Sequence, residues 1–403
     1  MAEQHRRSRI SSGREAVDEY KYCVTKQGEM SPLKVLAVTT WYPSQGTPTE
    51  APFNHEHVKA VLHHHEVKVI HIRLHSTDRI ALDHYDGVEV VRLPISLQRP
   101  WTVIGTLARV IRELRASEML HTMAFSTVLV IAPAWILTRR PWVHTEHWSG
   151  VLNPASVSRR WERFAWFRHA LALPHRVTGV TRQLAGRLQE FARTDSTSVV
   201  PCVVENDRDI VPRHSDGTLR LIAIGRVAEG KRPLLALDTI KVLADKGEDV
   251  HFEWVGGGPM KDEACAYAMQ LGIEERVRFV GPVHPSTVLQ RLEGADMFFL
   301  PSRQENFFTA AAEALSADRP VVAAAAGGYD DYCTPDNSVL VEDATPETLA
   351  DAILLARGRF ASYSPGQLAE PIRSRFSSPA VGSLFDSVYG AALRDFHGRT
   401  VNQ

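Results

Sequence analysis

From Leu33 onward, short apolar runs rich in β-branched residues alternate with stretches whose apolar positions recur at helical spacing. That rhythm marks βα units, which build a parallel sheet covered on both faces. The runs predict strands at 34–39, 67–72, 88–93, 142–145 and 177–181, with helices over 53–62, 102–115, 158–169 and 182–191. Residues 200–217 interrupt the pattern, because Pro201, Asp207, Asp209, Pro212, Ser215 and Gly217 gather there. It restarts with strands at 219–224, 250–255, 277–280, 297–300 and 321–324, separated by helices near 232–244, 262–270, 286–292 and 307–316. The expectation is an α/β chain with two doubly wound domains, residues 33–205 and 206–378. An extension at 1–32 precedes them, and a helix within 379–403 crosses back onto the first domain.

At 403 residues the chain exceeds what one core usually supports, and 44% apolar with 23% charged residues is ordinary for a globular protein. Lysine plus arginine (46) nearly cancels aspartate plus glutamate (47), so no global field draws the chain onto nucleic acid. The four cysteines, Cys23, Cys202, Cys265 and Cys333, form no Cys-x-x-Cys pair. Neither a zinc site nor a disulfide framework is suggested, and a cytoplasmic location fits. The longest apolar run, 128–137, contains Pro133 and is half of the ~20 residues a membrane-spanning helix needs. Residues 1–29 lack the apolar stretch of a secretory signal and read as an extension outside the folded domains.

Ligands of doubly wound sheets lie beyond the carboxyl ends of the strands, so candidate chemistry is sought just after each strand. Gly225-Arg226-Val227-Ala228-Glu229-Gly230-Lys231 leaves the strand at 219–224 and opens a helix. A glycine at the strand end lets backbone approach a ligand, while Arg226 and Lys231 can neutralise a diphosphate; the plain alternative is two exposed cations on a turn. Glu305 follows the strand at 297–300, and Glu313 comes two turns later in a helix of alanines. Carboxylates suit vicinal diols, and free amides near Asn306, Phe307, Phe308 and Thr309 suit phosphate or sugar hydroxyls. The bland reading makes Glu305 a helix-capping acid and Glu313 a solvated one.

Gly256, Gly257 and Gly258 follow the strand at 250–255, as Gly327-Gly328 follows that at 321–324; both can approach a ligand or merely turn the chain. In the first half, His144 and His147 sit at a strand end, and His147, just past it, is the candidate orienting or catalytic group. His55-x-His57 and His63-His64-His65 lack the supporting ligands of a metal site, so no metal is expected. Basic and aromatic residues mix at 100–115 and 159–168, which suits either an anionic bilayer or an amphipathic helix packed on the sheet.

Read together, these segments resemble family 4 of the retaining GT-B glycosyltransferases, in which two Rossmann-like domains face across a cleft. The resemblance runs from Thr40-Trp41-Tyr42-Pro43-Ser44 through Gly225-Arg226 with Lys231, Gly256–Pro259 and Glu305 with Glu313 to Pro320-Val321-Val322-Ala323 and Gly327-Gly328. It implies that Arg226 and Lys231 stabilise a leaving nucleoside diphosphate and that Glu313 holds the ribose. Glu305 and the amides of 306–309 would meet the donor sugar, and His147 would reach across from the acceptor domain. It further implies a nucleotide sugar as co-substrate, no cofactor or metal, and a glycan, lipid-linked or small-molecule hydroxyl acceptor. A sugar-nucleotide epimerase on the same fold and a catalytically silent nucleotide-sugar-binding module are the alternatives. Where the family carries glycine, this chain has Phe308, Asp318 and Ala51-Pro52.

Overall fold

A computed structural model describes residues 31–400 apart from 152, 215 and 326. The predicted extension at 1–29 lies outside the described residues. The first domain runs β1 (Lys34–Thr39), α1 (Pro52–Leu62), β2 (Glu66–Leu74), β3 (Ala81–Tyr85), β4 (Val88–Ile95), α2 (Pro100–Ala116), β5 (Met119–Met123), α3 (Phe125–Thr138), β6 (Trp142–Glu146), α4 (Arg159–Arg163), β7 (Arg176–Gly179), α5 (Arg182–Leu188) and β8 (Thr197–Val199). Its eight strands lie in the order β3-β4-β2-β1-β5-β6-β7-β8, parallel except that β3 pairs antiparallel with β4.

Four of these elements, β3, β5, α3 and β8, are absent from the expected pattern. The strand β3 is an exposed edge of polar composition, and β5 reads Met-Leu-His-Thr-Met without a β-branched run, yet it lies fully buried beside β1. Its polar groups find partners inside the sheet: His121 Nε2 pairs with Thr145 Oγ1 at 2.7 Å, and Trp142 Nε1 donates to Thr122 Oγ1 at 2.8 Å. Only Ala124 separates β5 from α3, so no turn signal marks the change. The helix expected over 158–169 is in fact α4 followed by a 3-10 stretch at Ala165–Ala172.

The second domain continues with β9 (Leu219–Ile224), α6 (Pro233–Asp245), β10 (Val250–Val255), α7 (Lys261–Gln270), β11 (Val277–Gly281), α8 (Val288–Glu293), β12 (Met297–Leu300), α9 (Thr309–Ser316), β13 (Val321–Ala324), β14 (Ser338–Val341), α10 (Pro346–Phe360) and α11 (Glu370–Phe376). Six parallel strands form the order β11-β10-β9-β12-β13-β14. The sequence reading lacked β14, α10 and α11. A signal existed for α10: Thr345 precedes Pro346 and forms a reciprocal cap with Thr348.

The last helix, α12 (Ser378–Thr400), packs on α1. Val381, Phe385, Tyr389 and Ala392 bury themselves with Val35, Val61, Met119 and Val143 of the first domain. The chain therefore passes between the domains twice, and the two crossings are tied together. Val204 N donates to Phe376 O at 2.8 Å, and Ser378 N donates to Glu205 Oε1 at 2.7 Å.

Candidate active site

The loops leaving β9, β10, β12 and β13 meet backbone to backbone. A Cβ on Gly256 would lie 2.1 Å from Gly225 O, one on Gly258 2.1 Å from Val227 O, and one on Gly327 2.2 Å from Glu305 O. No side chain fits at such distances, so glycine is obligatory there. Gly225 N donates to Val255 O, Val227 N to Gly257 O and Arg303 N to Gly230 O, each at 2.8–2.9 Å. Trp254 Nε1 adds a bond to Gly225 O at 2.9 Å.

Across the cleft stands the end of β6. The fully buried carboxylate of Glu146 accepts from His147 N at 2.9 Å and Trp148 N at 2.8 Å, which fixes the turn carrying His147. The His147 ring lies 4.3 Å from Phe53 and 4.8 Å from His57, and neither of its nitrogens has a hydrogen-bond partner among the described residues. Burial, then the neighbouring His57, His144 and His121, push its pKa well below the ordinary value, so the ring is neutral at pH 7. His57 donates through Nε2 to Pro201 O at 2.9 Å, and burial pushes its pKa down to about 4. Burial likewise pushes the Cys202 thiol up to about 12, so it is protonated at neutral pH.

Between these rims is a cavity of about 350 Å³, lined from one side by Phe53, His147, Val180 and Cys202 and from the other by Ile224, Lys231 and residues 304–310. A larger hollow, about 650 Å³, lies at the opposite, amino ends of β9–β11, where ligands of such sheets do not bind. The smaller cavity, at the carboxyl ends of the strands, is the candidate site. Asn306 Nδ2 spans the cleft by donating to His147 O at 2.7 Å. Nearby, Arg182 Nε meets Asp331 Oδ1 at 2.5 Å, and Gly328 approaches so closely that a Cβ would be 2.6 Å from Thr181 Oγ1.

Lys231 forms an ion pair with Glu305 at the cavity wall, and its ammonium lies 5.4 Å from the Phe308 ring centroid. Phe307 and Phe308 contribute to the lining, but their rings are buried, Phe307 against Tyr332 and Phe376, Phe308 against Phe298 and Tyr329. Phe308 therefore does not occlude the cavity. Its backbone takes φ 53°, as Ala51 takes 48° and Asp318 takes 63°. The three positions where the resemblance leads one to expect glycine are thus all in the left-handed region.

The structure brings His147, Lys231, Glu305, Asn306, Phe307, Phe308 and Thr309 to one cavity. Gly225 is in reach, since a Cβ there would lie 3.6 Å from Lys231 Cε. Arg226, Gly257, Gly258 and Glu313 are not among the lining residues. Arg226 is exposed beside the Gly256 loop and has no ion-pair partner among the described residues. Glu313, half-buried one turn into α9, has no hydrogen-bond partner for its carboxyl group among the described residues, and burial pushes its pKa up to about 7. Phe53, His57 and Cys202 were not singled out for this site, because only tertiary packing places them there. His57, His147 and Cys202 each offer one ligand atom within 4.8 Å of the others, as do His55, Glu56 and Asp86. These are two sets spaced for a metal.

Two parallel α/β domains that close a cleft at the carboxyl ends of their strands, with a charged pair on one rim and a neutral histidine on the other, form the GT-B glycosyltransferase architecture. Residues 218–356 match the family model described as glycosyl transferases group 1. The chain is 29% identical over 293 residues to a D-inositol 3-phosphate glycosyltransferase of Xylanimonas cellulosilytica, covering 64% of this chain and 69% of that one. It is 26% identical over 196 residues to a 2-deoxystreptamine glucosyltransferase of Streptomyces kanamyceticus, 49% of this chain and 45% of that one. Its fold matches Anabaena HepE in complex with UDP and glucose at TM-score 0.70 and 18% identity, covering 89% of this chain and 100% of that one. The second domain thus matches the glycosyl transferases group 1 model, and the relatives to which the chain is similar are named glycosyltransferases.

Proposed function

We propose that the chain transfers a hexose-type sugar from a nucleoside diphosphate sugar to a hydroxyl acceptor with retention of anomeric configuration, at the cytoplasmic side and without a metal. The Lys231–Glu305 ion pair on a wall shared by both domains is the observation that carries this reading. An incoming diphosphate competes with Glu305 for Lys231, and the released carboxylate is then free to accept hydroxyls of the donor sugar. Negative charge grows on the leaving diphosphate, so preorganised cations and the amides at the start of α9 supply most of the stabilisation. Exposed and unpaired, Arg226 can turn onto the phosphates from the mouth. The unpartnered carboxyl of Glu313 suits a ribose diol, and neutral His147 suits a sugar or acceptor hydroxyl. The bound structure of HepE with UDP and glucose supports a nucleotide-sugar donor by analogy of fold, and the two relatives are named for small cyclic polyol acceptors.

Lys231→Ala, assayed by donor hydrolysis and by transfer in EDTA, is expected to lower turnover by about 10²–10³-fold. Wild-type turnover should persist in EDTA. Near-normal turnover of the variant overturns the diphosphate site, and loss of wild-type activity in EDTA overturns metal independence and directs attention to the His57–His147–Cys202 set.

A further inference from the structure

One face of the first sheet is covered by α2, α3 and the 165–172 stretch, which pack side by side. A helix covering a sheet normally turns its apolar stripe inward and its polar stripe outward. Here the outward faces are apolar as well. On α3 the exposed positions are Leu129, Pro133, Ile136 and Leu137, at spacings of four, seven and eight residues. On α2, Trp101 (66% exposed) and Ile104 (70%) lead outward, followed by Ala108, Arg112 and Arg115. Beyond α4, Phe164, Trp166 (61% exposed) and Phe167 touch one another in solvent, with Trp166 and Phe167 stacked at 4.0 Å. Trp161, by contrast, turns inward onto Phe125 and Trp148. The basic-aromatic segment thus splits into anchoring and solvent-facing rings.

Charge accompanies this face. Residues 95–170 contain ten arginines against four glutamates, with no lysine or aspartate, in a chain whose formal net charge is −1. Glu113 and Glu146 are buried and already bonded within the fold, and Glu118 accepts from Lys34 N. Arg115, Arg139, Arg159, Arg160 and Arg163 are exposed without a carboxylate partner among the described residues. Among the described residues no helix is long and apolar enough to cross a membrane.

We infer that this face docks on an anionic lipid bilayer, with Trp101, Ile104, Phe164 and Trp166 inserted at the headgroup boundary and the arginines paired with lipid phosphates. Exposed guanidiniums without carboxylate partners on the same elements as exposed apolar side chains are matched in both respects by an anionic bilayer. The inward-turned Trp161 packs on Trp148, the neighbour of His147 in the chain, so docking sets the cleft mouth near the membrane, where a lipid-linked hydroxyl acceptor would be presented. The inference concerns binding alone and does not depend on the donor assignment.

The test is sedimentation of the full chain with vesicles of phosphatidylcholine alone or with 30% phosphatidylglycerol, at low and high salt. Binding to the anionic vesicles only, weakened by salt, is expected. Phe164→Ser/Trp166→Ser should reduce partitioning at least tenfold, and Arg159→Ser/Arg160→Ser/Arg163→Ser should abolish the preference for anionic lipid. Donor hydrolysis and circular dichroism of both variants should match wild type, which excludes unfolding as the cause. Absence of wild-type binding, equal binding to both vesicles, or a variant that only dissociates a dimer in ultracentrifugation overturns the inference.

Discussion

The two rims of the cleft are made of different material. On the second domain, loops touch through backbone, with glycines at 256, 258 and 327 packed where no Cβ fits. The first domain instead builds its rim from buried side chains: His57, His121, His144, Glu146 and His147 meet in and behind β6. A rim made of backbone can hold any ligand with phosphates and leaves a fixed glycine spacing in the sequence. A rim made of side chains can be re-cut by single substitutions, which suits the half that, under the proposed function, meets the acceptor. The family model matches residues 218–356, within the second domain, in keeping with this division.

The sharpest way to break the comparison is Gly256→Ala, which sets a Cβ 2.1 Å from Gly225 O at a φ of 138°. It should cost roughly 3 kcal/mol in urea unfolding and take activity with it. Gly230→Ala, in the neighbouring loop after β9 with no heavy atom within 4 Å of its Cβ, should stay within about 0.5 kcal/mol. Equal midpoints for the two variants would remove the distinction. On the other rim, Glu146→Ala leaves the amides of His147 and Trp148 unsatisfied and should cost about 2 kcal/mol. Transfer should fall while the donor KM holds; a change in donor KM alone would mean that this carboxylate serves the wrong rim.

Glu313 gives a smaller, pH-dependent effect. Folded, it keeps its proton up to about pH 7, against an ordinary value of 4.5, so the folded chain binds more protons between these values. Its contribution to stability is therefore intact below about pH 4.5 and declines as pH rises through 7. Glu313→Gln should lack that decline in urea midpoints measured between pH 5 and pH 8, and identical slopes would refute the burial argument. The smallest effect is expected of Ala51→Gly. Relief of a left-handed alanine is worth about 1–2 kcal/mol, partly offset by glycine's greater freedom when unfolded, so the gain should be about 0.5–1 kcal/mol. A lower melting midpoint would show that the φ of 48° is not strained.

Strands and helices with clear periodicity were legible, and so were the strand-end motifs of the second domain, because glycine and charge at fixed spacing report directly on local geometry. What stayed hidden depends on partners distant in sequence. β5 is a central strand despite Met-Leu-His-Thr-Met, because Thr145 and Tyr389 satisfy His121. The ion pair of Lys231 with Glu305 joins residues 74 apart, and nothing local shows which of two cations, Arg226 or Lys231, will face the cavity. Phe308 stands where the family carries glycine, and its left-handed backbone sends the ring into the core beside Phe298.

The return of α12 to the first domain also governs how the molecule can be made. Val35, Val61 and Val143 leave the ribosome early, yet Val381, Phe385 and Tyr389, which cover them, leave last. At roughly 5–20 residues per second, the nascent first domain waits on the order of 10–30 s with that apolar patch open while residues 206–377 are synthesised. During that interval it is a substrate for chaperones, and a truncated chain would never leave that state.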